Sequence, residues 1–111
     1  MPRNVPFRAR DIRDCHDDLE DTYLVRVFAL FETALRRYWR QGLGRNSRPS
    51  AKDLLNSIAS NCSMTSTVLE RTQSVREYRN KLVHEGDAPP VTLAEARGHL
   101  CTYLSNLPRY W

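Results

Sequence analysis

Apolar residues recur at three-and-four spacing over one long stretch: Tyr23, Val27, Leu30, Phe31, Ala34, Leu35 and Tyr38. This pattern commits the chain to helical packing, because a period of 3.6 residues lines those side chains along one side of a helix. The helix is expected to start near Asp14 or Asp17 and to run to about Gln41. Asp17, Asp18, Glu20 and Asp21 crowd its start and Arg36, Arg37 and Arg40 its end, the arrangement that the helix dipole favours. Gly42 and Gly44 stop it. Leu24, Phe28 and Trp39 fall off the stripe and read either as core or as a contact for a second copy.

The rest of the chain repeats the helical grammar. After a polar loop over 45–49, Ser50 followed by Asp53 resembles a capping box and opens a short helix with Leu54, Leu55 and Ile58 facing the core. A break rich in Ser, Thr and Asn over 60–66 leads to a third helix from about Ser66 to His84, packed through Val68, Val75, Tyr78 and Leu82. Gly86 and the Pro89-Pro90 pair end it. Thr92 followed by Glu95 is a second capping box, and Leu93, Ala96, Leu100, Tyr103, Leu104 and Leu107 carry the last helix to Pro108. No segment alternates apolar and polar residues as a strand would, and no repeat is present. The expected fold is all-α, an antiparallel up-and-down four-helix bundle over residues 12–111. An N-terminal arm, residues 1–11 with Pro2 and Pro6, reads as flexible or docked.

Composition narrows the partners. With 111 residues, 41% of them hydrophobic and 27% charged, the chain fits one globular domain and neither the disordered nor the membrane class. Of its cations 15 are Arg and 2 are Lys, and arginine's planar fork suits phosphate, although a codon bias toward Arg produces the same count. Cys15, Cys62 and Cys101 are an odd, scattered set; with His16 and His99 they lack the paired spacing of a zinc site, and Cys62 and Cys101 read as small packing residues. No metal or cofactor is called for. With no apolar run of membrane-spanning length, no secretory leader and unpaired thiols, a cytoplasmic location is expected.

Polar residues are dense where the third helix ends, at Arg76-Glu77-Tyr78-Arg79-Asn80-Lys81-Leu82-Val83-His84. At about 100° per residue, with Arg79 at zero, Arg76 falls near 60°, Asn80 near 100° and His84 near 140°, one broad face away from Val75, Tyr78 and Leu82. Lys81, near 200°, points outward on that wheel. A solvated face closed by a histidine at the helix end explains the same pattern. Glu77 reads as an ion-pair partner of Arg76 or Lys81, and Glu32 either as a residue that reaches Arg79 from the side or as part of a solvated face.

The run Arg79-Asn80-Lys81-Leu82-Val83-His84 resembles the R-N-x-x-x-H signature of HEPN domains, late in the third helix as in that family. Phe31-Glu32-Thr33-Ala34-Leu35-Arg36, Lys52-Asp53-Leu54-Leu55 and the capped helix from Thr92 extend the resemblance over about residues 17–107. The resemblance implies a homodimer whose third helices face each other across one cleft, with Arg79, Asn80 and His84 as catalytic residues; Glu32, Arg76 and Glu77 stand as supporting candidates on their positions alone. It implies a metal-independent endoribonuclease, often a toxin or defence effector with an antitoxin or partner encoded nearby. The alternative it implies is a non-catalytic dimer that binds RNA, a nucleotide or a protein. Gly86 stands where one toxin subgroup has a tyrosine, so control by modification of that tyrosine is not expected here. RNA cleavage through the 2′-OH needs a proton acceptor, charge stabilisation and positioning, roles that imidazole, guanidinium and amide can fill. A DNA-binding bundle ranks last, because the second helix offers no base-reading side chains.

Overall fold

The computed structural model describes the backbone of residues 9–84 and 86–109, and side chains from residue 18 onward. Four α-helices follow in order: α1 (Ala9–Arg37), α2 (Ala51–Asn61), α3 (Ser66–Val83) and α4 (Leu93–Ser105), with a π-helical turn (Tyr38–Gly42) continuing α1. No strand occurs among the described residues. None of their helices is long and apolar enough to cross a membrane.

The caps were legible in the sequence. Ser50 accepts from the Asp53 backbone N–H at 3.2 Å to open α2, and Thr92 and Glu95 form the full reciprocal capping box on α4. Thr65, not singled out among the Ser, Thr and Asn residues of the break, caps α3 through the Val68 N–H. The start of α1 differs from expectation: the helix begins at Ala9, so Asp14 and Asp17 lie inside it. No proline or glycine stands between Ala9 and Asp17, so acidic residues suited to a first turn do not mark where the helix begins. Of the expected arm, residues 9–11 belong to α1 and residues 1–8 lie outside the described part.

The expected α1 stripe holds at Phe31, Leu35 and Tyr38, but the core continues through Leu24 and Phe28 rather than Tyr23 and Leu30. Leu24, Phe28, Phe31, Leu35 and Tyr38 are buried, whereas Tyr23 is 54% and Leu30 69% exposed. Two apolar rows one residue apart run along this helix, 23-27-30-34 and 24-28-31-35, and each satisfies the helical period. The second row carries two phenylalanines and two leucines where the first has a valine and an alanine. Burying it removes more apolar surface from water, at about 1.5–3 kcal/mol per large side chain. Leu24 and Phe28 are therefore core, and Trp39 is half-buried against it.

Every helix contributes to one core. Leu54, Leu55, Ile58 and Ala59 of α2, Thr72, Val75 and Tyr78 of α3, and Ala96, Leu100 and Tyr103 of α4 close around the α1 row. The Tyr103 ring meets Phe31 edge-on at 5.5 Å, and its hydroxyl donates to the Leu55 carbonyl at 2.8 Å, fixing α4 to α2. Burial holds the Tyr103 phenol far above its ordinary titration range, and burial likewise raises Tyr38, whose hydroxyl lies 3.8 Å from the Cys62 thiol. Cys62 is half-buried as expected, but Cys101 is exposed rather than packed inside, because it sits on the outer side of α4 beside Leu100.

Candidate functional site

α3 delivers the R-N-x-x-x-H run at its last turn. The helix ends at Val83, and His84 is its cap, with extended backbone (φ −123°, ψ 159°) and its N–H bonded to the Asn80 carbonyl at 2.7 Å. His84 thus leaves the helical path, and its wheel position no longer fixes its direction. Gly86, two residues on, has φ +154°, outside the range that side chains favour, and turns the chain away.

The four residues that the wheel placed on one face occupy three environments. Asn80 and His84 line one open cleft of about 220 Å³ together with Glu77, Lys81, Gly86 and Asp87. Arg79 turns instead into the seam between α1 and α3. Its guanidinium carbon lies 4.7 Å from the Phe28 ring centroid, and Nη2 is 3.6 Å from Glu32 Oε1. Its Nε is buried without a hydrogen-bond partner, a strain of about 1–3 kcal/mol that the ring contact and the ion pair offset. Packing therefore does account for much of Arg79, contrary to the wheel. Arg76 donates to Gln73 Oε1 and lies 3.8 Å from Glu77, while Gln73 reaches the Lys52 carbonyl and Asn56 Oδ1 on α2. Arg76 is thus bound into the α2–α3 contact, away from His84.

Glu32 is the hinge of this charge arrangement. One carboxylate oxygen accepts from Arg36 Nε at 3.0 Å and lies 2.9 Å from Arg36 Nη2, while the other faces Arg79. Arg36 Nη1 donates onward to the Pro49 carbonyl at 3.0 Å. A continuous chain of charged and polar contacts thus runs from Arg79 to the loop before α2.

Two features of the cleft were not read from the sequence. Asp87 lines it opposite α3, a position set by the turn at Gly86 and invisible to a helical wheel. Lys81, expected to point away, lines the same cleft, with its ammonium 5.6 Å from the Tyr78 ring. Chemically the cleft offers an imidazole, an amide, an ammonium and two carboxylates around an opening wide enough for a polar substrate. No group of three or more His, Cys, Asp or Glu side chains that could hold a metal occurs among the described residues.

Compared with known proteins, the chain matches no family model, no curated protein and no solved structure, so its functional reading rests on these residues.

Proposed function

We propose that the chain is an endoribonuclease of HEPN type, an antiparallel up-and-down four-helix bundle that works as a homodimer and cleaves RNA through the RNA's own 2′-OH. The observation that carries this reading is the pairing of Asn80 with His84 in one open cleft, directly after an Arg79 held by Glu32. In the reaction the 2′-oxygen attacks the adjacent phosphorus and the bond to the 5′-oxygen breaks. His84 of one copy takes the proton from the 2′-OH, and His84 of the second copy returns a proton to the departing 5′-oxygen. The products are a 2′,3′-cyclic phosphate and a 5′-hydroxyl. Asn80 orients the phosphate or the ring, and Arg79 stabilises the charge that builds on the phosphorane oxygens. Exposed Leu19, Tyr23 and Leu30 on α1 and Val83 beside His84 supply apolar surface for a second copy. A role as a cytoplasmic toxin or defence effector, with a partner encoded nearby, belongs to the same reading.

One observation favours a second reading, a dimer that binds RNA, a nucleotide or a protein without cleaving. Arg79 is already occupied by Phe28 and Glu32 within its own chain. The two readings part in one experiment: purified protein incubated with varied RNAs in EDTA. Cleavage with cyclic-phosphate ends supports the enzyme. Equal trace activity in wild type and His84→Ala assigns the activity to a contaminant and leaves the binding module.

A further inference from the structure

A dense run of positive charge stands apart from His84 in the sequence. Residues 33–52 contain Arg36, Arg37, Arg40, Arg45, Arg48 and Lys52 and no carboxylate, six positive charges in a chain whose total is +4, so the remaining residues together carry −2. The dipole of α1 accounts for a preference for cations at Arg36, Arg37 and Arg40. It does not account for Arg45 and Arg48, which stand in the loop beyond the helix end.

That loop is fastened back onto α1. Leu43 and Arg45 donate their N–H groups to the Tyr38 and Trp39 carbonyls, each at 3.0 Å, and Gly44 makes the turn at φ +65°. The Trp39 indole N–H donates to the Ser47 carbonyl at 3.1 Å, and Arg36 reaches the Pro49 carbonyl. Between the loop and the helix lies a cavity of about 390 Å³ lined by Arg36, Trp39, Arg40, Ser47, Arg48 and Pro49. Arg36 is pre-aimed by Glu32 and Pro49, whereas Arg40 and Arg48 are exposed and have no ion pair among the described residues. Two unpaired guanidinium groups, Arg40 and Arg48, beside an Arg36 whose charge Glu32 partly balances, surround a pre-built concavity with no carboxylate on its wall and are arranged to hold an anion with several acceptor oxygens.

We infer that Arg36, Arg40 and Arg48 form a phosphate-binding pocket that grips the backbone of a single-stranded RNA at a point remote from the cleavage cleft. The inference rests on the reading of RNA as substrate. Tyr78, six residues before His84, donates to Asp21 on α1, and from Asp21 to Arg40 the helix rises about 28 Å. One strand held at both places would be drawn across the molecule, anchored by charge at one end and exposed to His84 at the other. The pocket offers no group arranged to read a base, so its grip should be independent of sequence.

The test uses the full chain carrying His84→Ala, so that bound RNA stays intact, and a labelled 16-nucleotide oligouridylate titrated between 50 and 200 mM salt. Arg40→Gln with Arg48→Gln should weaken binding about tenfold or more and lower the slope of log affinity against log salt by about 1.4, the share of two phosphate contacts on a single strand. Arg71→Gln with Arg97→Gln removes the same net charge from α3 and α4 and should change affinity less than about threefold. Thermal unfolding of both double variants shows whether the fold is kept. If the two doubles weaken binding alike, net charge alone acts and the pocket is overturned. Competition by polyglutamate as strong as that by oligouridylate of equal charge also overturns it. Cleavage by the protein with His84 intact is scored separately: absent cleavage with binding lost in Arg40→Gln/Arg48→Gln sinks the ribonuclease and supports the pocket, and the reverse pattern sinks the pocket alone.

Discussion

The cleft at the end of α3 and the pocket at the end of α1 are both polar concavities, yet they differ in the kind of charge they hold. Glu77 and Asp87 stand with Lys81, Asn80 and His84 in the first, a set that mixes both signs of charge with an imidazole. Arg36, Arg40 and Arg48 line the second, where every charged side chain is a cation. Under the proposed function the two would divide the work, the imidazole of the cleft handling the proton and the pocket only holding an anion. Glu32 ties the pocket to the α1–α3 seam, with one oxygen on Arg36 and the other toward Arg79.

The sharpest way to break that division is His84→Ala. If the cleft performs the chemistry, the rate of RNA cleavage should fall by about 10² or more while the thermal transition and RNA affinity stay where they were. Arg40→Gln with Arg48→Gln should do the opposite, raising KM and leaving kcat unchanged, the signature of lost uniform binding. Should the arginine variants lower kcat as much as His84→Ala does, the two sites are not separate and the comparison fails.

Glu32→Ala tests the link. It leaves the buried Nε and the guanidinium of Arg79 with only the Phe28 ring, and it frees Arg36 from its aim at the pocket. For an ion pair about a quarter exposed, loss of one partner should lower stability by about 2 kcal/mol, read as a fall in the urea midpoint with unchanged m. Both cleavage and binding should decline. A variant as stable as wild type would mean that the Arg79 contact contributes nothing to the fold.

The fold was largely readable because its signals are local. Caps at Ser50 and Thr92 need only three residues to be recognised, and the α2 row Leu54, Leu55 and Ile58 has no competing face. Where the sequence misled, two arrangements satisfied the same period. The α1 rows at 23-27-30-34 and 24-28-31-35 differ by one residue, and only the volumes meeting across the core decide between them. The candidate site was half legible for a related reason. The wheel correctly neighbours Asn80 and His84, but it assumes that His84 is helical and that long side chains stay on the face from which they start. Arg79 bends into a seam beside Phe28, and Asp87 arrives from a turn with no periodicity at all.

Tyr103→Phe provides a loss that neither site should feel. Removing the hydroxyl deletes its buried hydrogen bond to the Leu55 carbonyl, which keeps its helical donor, and should lower stability by about 1 kcal/mol at neutral pH. In wild type the folded phenol keeps its proton while the unfolded one releases it near pH 10, so the unfolded state binds fewer protons above that value. Stability should therefore be level below about pH 10 and fall as the pH rises further, with Tyr38 acting in the same direction. The variant should show a shallower alkaline decline in chemical denaturation. An unchanged decline would assign it to other groups.

The smallest expected effect belongs to Lys81→Ala, and it sharpens the boundary of the cleft. The side chain is exposed, and its contact with Tyr78 is a solvated one, so stability should move by no more than about 0.5 kcal/mol. Because Lys81 lines the cleft rather than pointing away from it, a strand bound there as proposed would bring a phosphate to its ammonium. Its removal should lower the salt slope of RNA binding by about 0.7, one contact, and weaken affinity less than the arginine pair does. An ammonium is a poor proton acceptor at neutral pH, so kcat should stay within about twofold of wild type. Measured beside His84→Ala under the same conditions, a comparable collapse of kcat would place Lys81 in the chemistry, and the roles assigned to the imidazole would have to be divided between the two.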